Sequence, residues 1–96
     1  MATNAFPYDI DVKYKSGYHI DGSTLVSVEE EITDVVIPEG ITEINNYAFY
    51  ENKEINTIKC PSTLKRIGKG AISGCTNLTS ISLNEGLEEI DDEAFL

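Results

Sequence analysis

The sequence predicts an α+β solenoid in which three units of 23 residues stack through short parallel strands beneath an N-terminal antiparallel β-meander. The first observation is a segment that begins at Ile32 and recurs at Ile55 and at Leu78. The second is that apolar residues occupy the same places in every copy. The third is a β-prone region, residues 9–28, that precedes the copies and is interrupted by turn residues. Units that repeat at such a period stack on one another and bury a shared core.

The three copies divide residues 32–96 into the units 32–54, 55–77 and 78–96. Their equivalent apolar positions are Ile32/Ile55/Leu78, Val35/Ile58/Ile81, Ile37/Cys60/Leu83, Ile41/Leu64/Leu87, Ile44/Ile67/Ile90, Ala48/Ala71/Ala94 and Phe49/Ile72/Phe95. A period of this length with an L-x-x-L-x-L-like core is typical of a leucine-rich repeat. Equivalent residues are therefore expected to lie side by side in neighbouring coils.

Each unit is expected to contain two short extended segments and one short helical turn. In the first unit, Val35 and Ile37 point to the core, and Pro38 ends the strand because proline cannot donate to a ladder. The second extended segment covers 41–44, and the helical turn contains Ala48. The alternate residues of the three first strands face outward on a concave sheet and form the candidate binding surface: Asp34, Val36, Thr57, Lys59, Ser80 and Ser82.

The first 31 residues are interpreted as a leader followed by a cap. Residues 1–8 lack the basic and apolar stretches of a signal peptide, so we expect a flexible leader and a cytoplasmic protein, with a secreted or surface location only for a mature fragment. Residues 9–15 alternate as a half-buried strand does. Asp21-Gly22 predicts a hairpin closed by a type I′ turn, with positive φ at both residues. Residues 9–31 are expected to cover the open face of the first unit.

The formal net charge of −10 is distributed unevenly along the chain. The second unit carries four bases and no acid, and in the predicted register its Arg66 lies between Glu43 and Glu89, which stabilises the stacking order. The third unit carries six acids and no base, and these form the candidate acidic patch: Glu85, Glu88, Glu89, Asp91, Asp92 and Glu93. A net acidic surface argues against direct contact with nucleic acid or membranes and favours a basic protein partner.

No constellation of residues predicts catalysis, a metal site or a cofactor, so we expect a protein that is not an enzyme. His19 is the single histidine, and no triad spacing surrounds it. The acids 91–93 lack EF-hand spacing, and residues 68–70 lack the frame of a phosphate-binding loop. Cys60 and Cys75 match no zinc or redox motif, and we expect both to be buried and free.

The units resemble a known family. The segments Leu78-Thr-Ser-Ile-Ser-Leu83 and Gly86-Leu-Glu-Glu-Ile-Asp-Asp-Glu-Ala-Phe95 are similar to the BspA-like (Treponema pallidum-type) leucine-rich repeat, whose pattern is LxxIxIPxxVxxIGxxAFxxCxx. The resemblance covers residues 32–96 and departs from the pattern at Asn52, Cys60, Ile72 and Asn84. It implies a solenoid, and proteins of this kind are commonly bacterial surface or adhesion proteins.

The favoured interpretation is a non-enzymatic protein-binding module that uses its concave sheet. One alternative is a small acidic inhibitor, such as a phage encodes, that mimics nucleic acid in the basic groove of a protein such as a CRISPR effector. Another is a fragment of a bacterial surface adhesin. Because the third unit is acidic, we expect a monomer at low salt, with self-association through the open end of that unit as salt rises.

Overall fold

The computed structural model describes residues 17–95, which form eight short strands. The strands are β1 (Tyr18–Asp21), β2 (Thr24–Val28), β3 (Asp34–Val36), β4 (Glu43–Ile44), β5 (Thr57–Lys59), β6 (Arg66–Ile67), β7 (Ser80–Ser82) and β8 (Glu89–Ile90). They belong to two sheets, one with the order β3-β5-β7 and one with the order β1-β2-β4-β6-β8. Each coil therefore contributes one strand to each sheet, as the two extended segments of each unit predict.

The strands of neighbouring coils pair in parallel and in the predicted register. In the three-stranded sheet Val35 is opposite Ile58, which is opposite Ile81. In the other sheet Ile44, Ile67 and Ile90 are aligned in the same way. Because equivalent residues stack directly, each apolar column becomes a continuous row of the core, and the prediction of a parallel repeat fold is confirmed.

The third side of each coil is a run of turns, and the predicted helical turn is not found there. No α-helix occurs in residues 17–95, so the α part of the predicted α+β class is not found in this part of the chain. Tyr47 and Glu51 have φ angles of 61° and 56°. These values lie in the left-handed region, which a right-handed helix cannot contain.

The backbone hydrogen bonds of this side explain why turns form instead of a helix. Ala48 N–H donates to the Asn45 carbonyl across 3.2 Å, which closes a turn of four residues. Phe49 N–H donates instead to the Ala71 carbonyl of the next coil, across 2.8 Å. Amides that a helix would use internally therefore join neighbouring coils, and the third side is held by bonds between coils.

Two strands predicted in the N-terminal cap are present as the antiparallel pair β1–β2, whereas the predicted strand over 9–15 lies outside the described residues. The type I′ turn at Asp21-Gly22 is wrong. Asp21 pairs with Thr24, so the loop consists of Gly22 and Ser23, and of these only Gly22 has a positive φ, 65°. Positive φ at the first loop residue alone defines a type II′ turn, which needs glycine at that place.

Strand β2 occupies the place that the second strand of a preceding coil would take. Leu25 is opposite Ile44 in a parallel pair, and both side chains are fully buried. Thr42 N–H donates to the Ser23 carbonyl across 2.8 Å, just as Lys65 N–H donates to the Thr42 carbonyl in the next pair of coils. The hairpin thus covers the open face of the first coil by adding two strands, β2 and β1, to the edge of its sheet.

The core is complete in the first two coils and open at the third. Val35, Ile44 and Phe49 are at most 1% exposed. The equivalent side chains of the third coil are more open, and three large apolar residues there are about half exposed: Leu83 at 45%, Ile90 at 48% and Phe95 at 48%. No coil formed by residues 17–95 lies against that face.

Asn84 shows how a departure from the repeat pattern is accommodated. It stands where the first two units have proline. Its Nδ2 donates to the carbonyl oxygens of Ser62 and Leu64, across 3.2 and 2.8 Å. The side chain therefore contributes hydrogen bonds to the second coil that proline cannot make.

Candidate binding surfaces

The six residues of the predicted binding surface share the outer face of the β3-β5-β7 sheet. They form two rows across the strands, Asp34/Thr57/Ser80 and Val36/Lys59/Ser82. Five of them are exposed, and Thr57 is half-buried. Val35 and Ile58, which lie between them in sequence, face the core. Alternate residues of these strands therefore point either to the core or to solvent.

The first row is ordered by a hydrogen bond, while the second presents an apolar residue to solvent. Thr57 Oγ1 donates to Asp34 Oδ1 across 2.8 Å, which fixes the carboxylate against the neighbouring strand. Val36 is 58% exposed and lies beside the exposed Lys59. An aliphatic side chain flanked by a fixed carboxylate and a lysine can offer both contact area and charge selectivity to a protein partner.

Arg66 is the centre of an ion-pair cluster between the three coils. The register Glu43–Arg66–Glu89 is confirmed by the pairing of β4, β6 and β8. The guanidinium donates to carboxylate oxygens of Glu43 and Asp91, whereas Glu89 Oε1 lies 4.0 Å from Arg66 Nε. Asp91 therefore makes the closer contact. Sequence reasoning missed it because Asp91 follows the strand and belongs to a different column.

The cluster raises the pKa of two side chains, Glu89 and Arg66. A side-chain hydrogen bond with Asp91, reinforced by the charge of Asp91, raises the pKa of Glu89 above its ordinary value. For Arg66, partial desolvation acts to lower the pKa, but the hydrogen bonds and charges of Asp91 and Glu43 outweigh it and raise the pKa. The Arg66 guanidinium thus forms ion pairs with three carboxylates, and the contact with Glu89 is the longest of the three.

The predicted acidic patch is divided by these contacts. Glu88 lies 3.6 Å from Lys65 Nζ, and Glu89 and Asp91 surround Arg66. Glu85 lies in the turn after β7, and Asp92 and Glu93 lie in the turns after β8, all three being exposed. The structure therefore brings together only part of the six acids, and the remainder are distributed along the third coil.

Both cysteines are free and partly buried. Burial raises the pKa of the Cys60 thiol to about 11. Burial also raises the pKa of Cys75, whose Sγ donates to the Phe49 carbonyl of the preceding coil across 3.1 Å. Thiols held in the protonated form are weak nucleophiles, so these side chains serve the packing of the coils.

Within residues 17–95 no three histidine, cysteine, aspartate or glutamate side chains are grouped so that they could hold a metal ion. The same part of the chain has no helix with the length and apolar character needed to span a membrane.

Stacked coils of one repeated strand–strand–turn unit, with aligned apolar columns, define a leucine-rich-repeat solenoid. The family model described as BspA type leucine rich repeat region (6 copies) matches residues 22–96, and the chain belongs to this family. The match begins at residue 22, ahead of Ile32, which agrees with β2 taking the place of a repeat strand. Comparison with curated proteins and with solved structures returned no match.

Proposed function

We propose that the protein is a non-enzymatic protein-binding module that uses the outer face of the β3-β5-β7 sheet. Repeat modules of this kind commonly mediate protein interactions, and the family match supports that class of function. The observation that carries the choice of face is the row Val36/Lys59/Ser82, in which a β-branched apolar residue is 58% exposed beside a lysine.

The energetics of such a face favour a small contact centred on Val36. A strand of a rigid sheet holds Val36 and Lys59 at a fixed separation, so little conformational entropy is lost when a partner binds. The short serine side chains of β7 leave room for a partner to approach that side of the sheet. We expect Val36 to be the apolar anchor and Asp34 and Lys59 to select the charge of the partner.

A capture experiment with matched variants tests this proposal. The tagged full chain is compared with the double variant Val36→Asp/Lys59→Glu and with Lys53→Glu/Thr76→Asp, which makes the same charge change on exposed residues of the turn side. A protein retained by the wild type and the control but lost with the sheet variant supports the proposal. A protein lost only with the control variant contradicts it.

A second candidate is a basic protein bound through the third coil. It is favoured by exposed Glu85, Asp92 and Glu93 and by the net charge of −10. In that case a captured basic protein is released by salt, because exposed charges are screened within about 10 Å at 0.1 M. The variant Glu85→Gln/Glu93→Gln would then lose the partner while Val36→Asp/Lys59→Glu keeps it.

A further inference from the structure

Two exposed tyrosines stand on the turn side of the first coil, away from both sheets. Tyr47 and Tyr50 are 52% and 51% exposed, and their ring centroids lie 5.5 Å apart at an interplanar angle of 86°. This edge-to-face arrangement is favourable and fixes each ring by the other. Large aromatic side chains held rigidly at a surface lose little entropy on binding, which makes them effective anchors for a partner.

Tyr47 has a left-handed backbone conformation, and a glycine in the second coil provides space for its ring. Tyr47 has a φ of 61°, and the equivalent residue of the second coil is Gly70, with a φ of 64°. A Cβ on Gly70 would lie 2.5 Å from Tyr47 Cε1, so the ring packs directly over this glycine. Glycine would adopt the backbone of Tyr47 without strain, yet the chain places a tyrosine there.

A cleft of about 400 Å³ lies next to Tyr50, between the end of strand β2 and the turns of the first coil. Its lining residues include Val28, Ala48, Phe49 and Tyr50. Its remaining lining residues include three acids and one base: Glu30, Glu51, Glu54 and Lys53. The lining of the cleft therefore mixes apolar residues with polar residues of net negative charge, which favours a cation over an anion.

We propose that this tyrosine cleft binds an arginine side chain of an extended peptide. The aliphatic stem of arginine can lie along Val28 and Ala48, since long cationic side chains bury their methylene groups against apolar surface. The planar guanidinium can then stack on Tyr50 and pair with Glu51. The surface lies on another side of the coil from the β3-β5-β7 sheet, so it is distinct from the face of the proposed function.

The test is a titration of the ¹⁵N-labelled full chain with the blocked peptide acetyl-Gly-Arg-Gly-amide, with acetyl-Gly-Gln-Gly-amide as the uncharged comparison. We expect saturable chemical-shift changes at residues 28, 30 and 48–54 with the arginine peptide alone. Tyr50→Leu, which keeps apolar volume and removes the aromatic face, should weaken binding roughly two- to fivefold. Glu51→Gln should weaken binding as well.

Glu93→Gln is the matched control for Glu51→Gln. Both residues lie on the turn side with left-handed backbone, φ 61° and 56°, but Glu93 does not line the cleft. Equal affinity of Glu51→Gln and the wild type, equal weakening by the two glutamine variants, or identical shifts with both peptides would each overturn the proposal. If Tyr50→Leu fails to fold, the Glu51→Gln and Glu93→Gln pair decides the question. Loss of binding in Val36→Asp/Lys59→Glu would assign the peptide to the sheet instead.

Discussion

The hydroxyl oxygen of Tyr18 accepts a hydrogen bond from the amide of Val36 across 2.6 Å. Ile37 N–H donates in the opposite direction, to the Lys59 carbonyl of β5. Successive backbone amides of a strand point to opposite sides of it. Because Ile37 N–H points to β5, Val36 N–H points to the other side of β3, where the described structure has no further strand. Tyr18 is only 9% exposed and supplies the acceptor that a preceding strand would supply.

Removing the Tyr18 hydroxyl should destabilise the edge of β3. Tyr18→Phe leaves the ring in place and deprives Val36 N–H of its acceptor, which should cost about 0.5–1.5 kcal/mol in urea unfolding. Hydrogen exchange of the Val36 amide should become faster. The control is Tyr47→Phe, which removes a hydroxyl from a half-exposed ring and should change neither quantity. Unchanged exchange at Val36 in Tyr18→Phe would contradict this account of the edge.

Gly68 should be far less tolerant of substitution than Gly86. A Cβ on Gly68 would lie 2.7 Å from the Asn46 backbone nitrogen and 2.9 Å from the Asn45 carbonyl carbon, and backbone atoms cannot move away cheaply. Gly68→Ala should therefore cost about 1–3 kcal/mol in the free energy of unfolding. Gly86→Ala places its Cβ no closer than 3.4 Å to a neighbour and should cost nothing or stabilise slightly. Equal unfolding midpoints for the two variants would mean that the coils separate more easily than the contacts indicate.

Charge reversal at Arg66 should destabilise the protein more than reversal at Lys53. Arg66→Glu adds a fourth carboxylate to Glu43, Glu89 and Asp91, whereas Lys53 lies outside this cluster. Each opposite-charge pair lost from paired strands is worth roughly 0.2–1 kcal/mol, and like charges repel in addition. Urea unfolding at low ionic strength measures the difference, which should shrink with added salt. A larger effect of Lys53→Glu would argue against the aligned charge column.

The raised pKa of Glu89 predicts a specific pH dependence. Because the hydrogen bond with Asp91 raises the folded-state pKa above the ordinary value of 4.5, folding favours the protonated carboxyl. Its stabilising contribution is present below pH 4.5 and is lost as pH rises through the folded-state pKa. The stability of the wild type relative to Glu89→Gln should therefore fall as pH rises above 4.5. Glu88→Gln, whose parent carboxylate pairs with Lys65, is the comparison variant. A stability difference that is constant with pH would contradict the contact with Asp91.

The open face of the third coil should make self-association depend on salt. Leu83, Ile90 and Phe95 give this face apolar area, while the acids of the same coil oppose the approach of a second copy. Sedimentation across a salt series should show a monomer at low salt and growing association as salt rises. Ile90→Ser should reduce association at high salt, and Val36→Ser, on the outer face of the other sheet, should not. A dimer whose affinity is independent of salt would show that the acids do not protect this face.

The repeat period was enough to predict which residues stack on which. Val35, Ile58 and Ile81 align because equivalent positions of successive coils are neighbours by construction, and the same reasoning places Glu43, Arg66 and Glu89 in one row. Outward positions such as Val36 and Lys59 follow from the alternation of a strand. The third side could not be predicted in this way. The apolar pair Ala48-Phe49 fits a helical turn and a β-turn equally well, and only the dihedral angles separate them.

The sequence by itself therefore determined the stacking order, the core columns and the two faces of each strand. The physical reason is that a fixed repeat period places equivalent residues of successive coils at equivalent positions, next to one another. The tertiary structure decided which side chains reach across the coils. Asp91 contacts Arg66 more closely than its column partner Glu89 does, and the Tyr18 hydroxyl meets an edge amide eighteen residues away. These contacts depend on the length and direction of individual side chains, which a pattern of apolar residues does not specify. The positive φ of Tyr47 is likewise not specified by that pattern.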